Sequence, residues 1–115
     1  MLFTSSEHAE YQQRGFVVKN RAFSERECAS FRAAAQRVES GLLARISAAA
    51  PESATTQYRL DGNRFVDLDH VTVQFEHASK PDRLRVVEPI NDVEPAFDRL
   101  LDDPRLCGPM KQIVP

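Results

Sequence analysis

The sequence predicts an α+β domain. Two segments with helical period, 24–46 and 92–101, flank a stretch of 57–87 in which apolar side chains alternate with polar ones, and capping residues and turn dipeptides mark the borders. At 115 residues the chain has the length of one domain, read as a single unit over 1–115 and long enough to bury a core. Its composition, 42% hydrophobic and 28% charged with a formal net charge of -2, is that of a globular protein. That balance excludes a strongly basic nucleic-acid binder and a disordered chain. Cys28 and Cys107 are too few for a disulfide framework and lack metal-ligand spacing, so a reducing compartment, the cytoplasm, is expected. The first residues hold no basic segment followed by a long apolar one, and no run approaches the roughly 20 apolar residues of a membrane span. Neither secretion nor membrane insertion is expected.

Ser5 or Ser6 can cap a first helix that contains Tyr11, ends in Arg14 and stops at Gly15, where a left-handed residue closes many helices. Phe16-Val17-Val18 then reads as a short buried strand. Ser24 and Glu27 have the spacing of a capping box, and Cys28, Phe31, Ala35, Val38, Leu42 and Ile46 follow by threes and fours on one helix face. Gly41 weakens that helix by ~1 kcal/mol relative to alanine and is a point where it could bend or end. Residues 50–56 form the following loop. Tyr58 and Leu60, then Asp61-Gly62-Asn63, then Phe65, Val66 and Leu68 predict a hairpin, and Val71, Val73 and Phe75 alternate as a third strand. His77 to Asp82 is a polar loop containing Lys80-Pro81, and Leu84 to Val87 is extended until Pro89. Asp92 can cap a third helix with Val93, Phe97, Leu100 and Leu101 on one face, and Asp103-Pro104 starts a short further one.

Asp67-Leu68-Asp69-His70 combines two carboxylates and an imidazole, the donor types of a divalent-metal site. A regular strand would aim Asp67 and Asp69 to one side and His70 to the other, which argues for a solvated strand end instead. His8-Ala9-Glu10 has a His-x-carboxylate spacing on a surface helix, a weak signal. Neither cysteine has a neighbouring base, and among four glycines there is no nucleophile elbow or phosphate loop. Lys80, Arg83 and Arg85 form a basic cluster able to meet a phosphate or carboxylate, with an ordinary solvated loop and strand edge as the weightier reading.

Tyr11-Gln12-Gln13-Arg14-Gly15-Phe16-Val17-Val18, then Phe23-Ser24-Glu25 and the long helix, then Val87-Glu88-Pro89-Ile90 and the run from Phe97 to Leu106, occur in an order and spacing that cover most of the chain. In that order they resemble the N-terminal part of the phytanoyl-CoA dioxygenase family. The resemblance implies N-terminal helices and the first strands of a double-stranded β-helix, a jelly-roll or cupin-like fold that is incomplete here. It implies an Fe(II)- and 2-oxoglutarate-dependent dioxygenase that hydroxylates a small organic or acyl-linked substrate. Such enzymes hold iron through two histidines and a carboxylate, two of them in a His-x-Asp. No His-x-Asp occurs here, and none of the three histidines matches a ligand position. The second histidine and the arginine for the 2-oxoglutarate carboxylate would lie beyond Pro115. No catalytic or metal residue is therefore assigned, neither Fe(II) nor 2-oxoglutarate is expected to bind the 115 residues alone, and these are expected to be inactive. The apolar ending Ile113-Val114-Pro115 fits the same expectation of a fragment. The alternative is a small stand-alone α+β binding or interaction module that docks another protein through a strand edge or helix face.

Overall fold

A computed structural model of the chain describes residues 2–49, 55–77, 80 and 82–114. The element order is α1 (Ser5–Arg14), α2 (Glu25–Ala48), β1 (Thr55–Leu60), β2 (Asn63–Leu68), β3 (Val71–Phe75), β4 (Leu84–Glu88), a 3₁₀ turn (Ile90–Asp92), α3 (Pro95–Leu101) and α4 (Pro104–Ile113). The strands form one antiparallel sheet in the order β1-β2-β3-β4, so the predicted α+β class holds. The expected loop at 50–56 falls at 50–54 outside the described residues, as do residues 78, 79 and 81 of the loop before β4; Thr55 and Thr56 already belong to β1.

Local chemistry explains most borders. Ser24 and Glu27 cap α2 reciprocally, with Glu27 N–H donating to the Ser24 hydroxyl and Ser24 N–H donating to the Glu27 carboxylate. The same device starts α1, but with Thr4 and Glu7 rather than with Ser5 or Ser6. Arg14 pairs with Glu10 one turn back, and Gly15 closes the helix at φ 78°. Gly41 does not interrupt α2, which runs through 24 residues. Glu94, not Asp92, caps α3 by accepting from Ala96 N–H, because residues 90–92 are taken up by the 3₁₀ turn. Asp103 caps α4, accepting from Arg105 N–H, with Pro104 in the first turn.

Asp61 (φ 50°) and Gly62 (φ 80°) make the two-residue β1–β2 turn, both in the left-handed region that matches the twist of the flanking strands. Gly62→Ala places a β-carbon at that φ and is expected to cost about 1–2 kcal/mol, read as a lower urea midpoint with an unchanged slope. A two-residue turn, Asp69-His70, joins β2 to β3, with Asp69 at φ 55°. Between β3 and β4 the register pairs Gln74 with Val86 and Phe75 with Leu84, so Arg85 is the extra residue of a bulge. The bulge lets Leu84 and Val87, three residues apart, both pack towards the core.

Val38, Leu42 and Ile46 of α2 pack on Val66 and Leu68 of β2 and on Val71, Val73 and Phe75 of β3. The predicted stripe of α2 is right at these three positions and shifted by one at Ala35, which is exposed, while Ala34 is fully buried. Phe16-Val17-Val18 is not a strand. Phe16 and Val18 are exposed, and the Arg14 guanidinium lies 4.3 Å from the Phe16 ring centroid instead of a neighbouring strand.

The radius of gyration is 18.0 Å, against roughly 13 Å for a compact chain of this length. The accessible surface is 8390 Å², where a compact monomer of this mass has roughly 6,300 Å². The helices cover one side of the sheet and leave the other open.

Candidate functional site

The sheet has two unlike faces, and strand alternation assigns each side chain to one of them. Every buried strand residue lies on the α2 side. On the second face Tyr58, Phe65, Gln74 and Val86 form one cross-strand row, and Asp67, Thr72 and Glu88 the next. None of these seven is buried. The Tyr58 and Phe65 rings stack on one another at a centroid separation of 5.2 Å with planes 7° apart, an apolar pair at the β1–β2 side of the face. Beside it the Thr72 hydroxyl donates to Asp67 Oδ1 at 2.8 Å, which leaves Asp67 further acceptor capacity. Asn63, at the start of β2, has a buried side-chain oxygen without a donor, the one such atom among the described residues.

The strands place no lysine or arginine on this face. Arg64 is on the α2 side, its guanidinium 4.2 Å from the Phe75 ring centroid, and Arg59 pairs across the strands with Arg64. The face is therefore apolar at the Tyr58–Phe65 pair and acidic beside it. Sequence reasoning assigned Tyr58 and Phe65 to strands without giving them a site. The available signal was Phe65-Val66: two adjacent large apolar residues in a strand must point to opposite faces, so one had to lie outside the core.

The basic cluster lies elsewhere. Lys80, Arg83 and Arg85 line a cleft of about 460 Å³ between α2 and β4, over an apolar floor that includes Val38, Leu84, Val87 and Ile90. Carboxylates share the cleft. Glu39 and Glu76 line it too, Arg83 reaches Glu39 at 4.0 Å, and Arg85 lies 3.2 Å from His77 Nε2. The reading of Lys80, Arg83 and Arg85 as a solvated loop and strand edge accounts for these contacts without a ligand.

Asp67, Asp69 and His70 do not come together. Asp67 bonds Thr72, Asp69 accepts from Arg45 of α2 at 2.8 Å, and His70 Nε2 lies 3.7 Å from Asp92. The β2–β3 turn, rather than strand alternation, separates them: Asp69 and His70 are its two residues, so of the three only Asp67 is on a strand. His8 and Glu10 sit on α1, and Glu10 is engaged by Arg14. Among the described residues no three His, Cys, Asp or Glu side chains converge on a point that could hold a metal ion.

At the far end of α2 a polar clamp fixes α4. Arg105 donates to Glu27 at 2.7 Å, to Asp103 at 2.6 Å and to the Ala22 carbonyl at 3.3 Å, and its guanidinium lies 4.3 Å from the Phe23 ring centroid. The Ser24 N–H and hydroxyl, helped by Arg105, hold the Glu27 carboxyl down at about 2. Arg105 does the same for Asp103, also at about 2, and the Arg105 guanidinium is itself held more firmly protonated by both carboxylates. Lys19, with the Thr4 N–H, lowers Glu7 to about 2. Gln112 of α4 accepts from Phe3 N–H at 2.7 Å, so both ends of the helical layer are tied. This is a structural use of charge, and no described helix is long and apolar enough to cross a membrane. No protein-family model, curated protein or solved structure matches the chain.

Proposed function

We propose that the chain is the N-terminal part of an Fe(II)- and 2-oxoglutarate-dependent oxygenase like the phytanoyl-CoA dioxygenases, acting in the cytoplasm on a small organic or acyl-linked substrate. The observation that supports this reading is the one-sided cover of the sheet. In a jelly-roll two sheets face one another about 10 Å apart, so each has an outer face for helices or solvent and an inner face towards the opposing sheet. Here α2 supplies the outer cover, and the stacked Tyr58 and Phe65 with Asp67, Thr72 and Gln74 supply an inner face of mixed polarity, the lining of a substrate pocket rather than of a dry core. Two half-buried free cysteines agree with a reducing compartment.

The described residues of this chain do not fit an iron centre: the donors His8, His70 and His77 lie on α1, in the β2–β3 turn and beyond β3, in no group of three donors. No catalytic step is routed through them. In this reading the 115 residues contribute scaffold and pocket wall, and the iron and 2-oxoglutarate sites come from sequence outside them.

Reading the coding sequence past Pro115 and expressing the longer product tests the proposal. The expected result is 2-oxoglutarate conversion to succinate that requires Fe(II) in the longer product and is absent from the 115-residue chain. A stop codon directly after Pro115, with a monodisperse 115-residue product that unfolds in one cooperative transition, would sink it. That outcome would favour the stand-alone interaction module, for which β1 is the suitable docking edge. Unlike β4, with its bulge at Arg85 and its end at Pro89, β1 pairs in unbroken register and contains no proline.

A further inference from the structure

The uncovered sheet face carries more information than its exposure. Tyr58 and Phe65 form a mutually stacked aromatic pair, Asp67 lies two residues along β2 from Phe65 on the same side, and Glu88 closes the Asp67 row at the β4 edge. Thr72 and Gln74 add neutral hydrogen-bonding groups. Among the described residues of the strands, every formal charge on this face is negative, while the arginines of the same strands lie on the α2 side or at the bulge. A carboxylate or phosphate entering here would meet like charge and no donor of opposite charge. A cation would gain both the ring quadrupole and the carboxylates, and cation–π contact adds roughly 0.5–2 kcal/mol depending on desolvation.

We propose that this face binds an organic ammonium bearing an apolar or aromatic ring, the ring packed against the Tyr58–Phe65 pair and the ammonium directed to Asp67. The proposal rests on reading this face as a pocket wall, and it narrows the substrate class to amines. The basic cleft between α2 and β4 is the competing site, and it would select the opposite charge.

Three isosteric probes, 2-phenylethylammonium, 2-phenylethanol and phenylacetate, are titrated into the isotopically labelled 115-residue chain and followed by backbone amide shifts. The expected result is perturbation centred on Tyr58, Phe65 and Asp67, with the ammonium binding at least tenfold more tightly than phenylacetate. Asp67→Asn is expected to abolish that preference while the ring contact persists, and Tyr58→Ala to weaken all three probes. Tyr58→Phe keeps the stack and should behave as the parent, which separates a lost contact from a misfolded chain. Equal affinity for the three probes, a preference for phenylacetate, shifts centred on Lys80, Arg83 and Arg85, or no binding by any probe would each overturn the proposal. Its failure is distinct from failure of the oxygenase reading, which the 2-oxoglutarate assay decides without reference to probe charge.

Discussion

Phe75→Ala is expected to lower the stability of the chain by about 3–5 kcal/mol, the range for emptying a buried aromatic site. Phe75 is 1% exposed, sits at the end of β3 in the cluster formed with α2, and has the Arg64 guanidinium over its ring. Its removal takes away the largest side chain from the contact between sheet and helix and leaves Arg64 without its aromatic surface. Domains of this size are stable by only about 5–15 kcal/mol, so the variant should lose a large share of its stability. Tyr58→Ala provides the contrast. It deletes a ring of similar size from the uncovered face, where 39% of the residue is already exposed and no helix packs, and should cost far less. Denaturant titration of both variants checks the assignment of faces. If the two lose equal stability, the α2 side is not the core, and the description of the opposite face as open falls with it.

The faces were partly legible in the sequence. Val71, Val73 and Phe75 alternate strictly with polar residues, and all three are buried as the period requires. The hairpin at Asp61-Gly62 follows from two residues that tolerate positive φ, and the α2 start from Ser24 and Glu27. The failures have physical causes. Ser5 and Ser6 are equally good cap residues by type, but Thr4 and Glu7 have the capping spacing of Ser24 and Glu27, and Glu7 is what selects Thr4. Phe16-Val17-Val18 has strand composition, but a strand also needs a neighbour with free hydrogen-bonding groups, which composition does not report. The bulge at Arg85 is invisible to a period count, because Leu84 and Val87 break the alternation that would have found them. The clamp on Arg105 joins positions 78 residues apart, and nothing local to either side announces it.

That clamp sets the response to acid. Glu7 and Glu27 are depressed from an ordinary value near 4.5 to about 2, Glu7 chiefly by Lys19 and Glu27 chiefly by the Ser24 N–H, and Asp103 from near 3.8 to about 2 by Arg105. When the chain unfolds, these groups return to ordinary values and take up protons between pH 4.5 and 2 that the folded state does not bind. Their stabilising contribution is therefore complete above pH 4.5 and is lost as the pH falls towards 2. The carboxylates involved are partly exposed, so salt screens the attraction and the effect should shrink at high ionic strength. Helical circular dichroism and urea midpoints measured from pH 6 to 2 should show stability declining within that window. Glu27→Gln keeps an amide able to complete the capping box but removes the charge facing Arg105, so its curve should start lower at pH 6 and fall less steeply. Parent and variant curves that run parallel from pH 6 to 2 would mean that Glu27 and Arg105 do not hold α4 against α2. The docking of the helical layer would then rest on its other contacts, the Phe23–Phe31 and Phe31–Phe97 ring contacts, the Arg37–Glu94 pair and the Phe3–Gln112 bond.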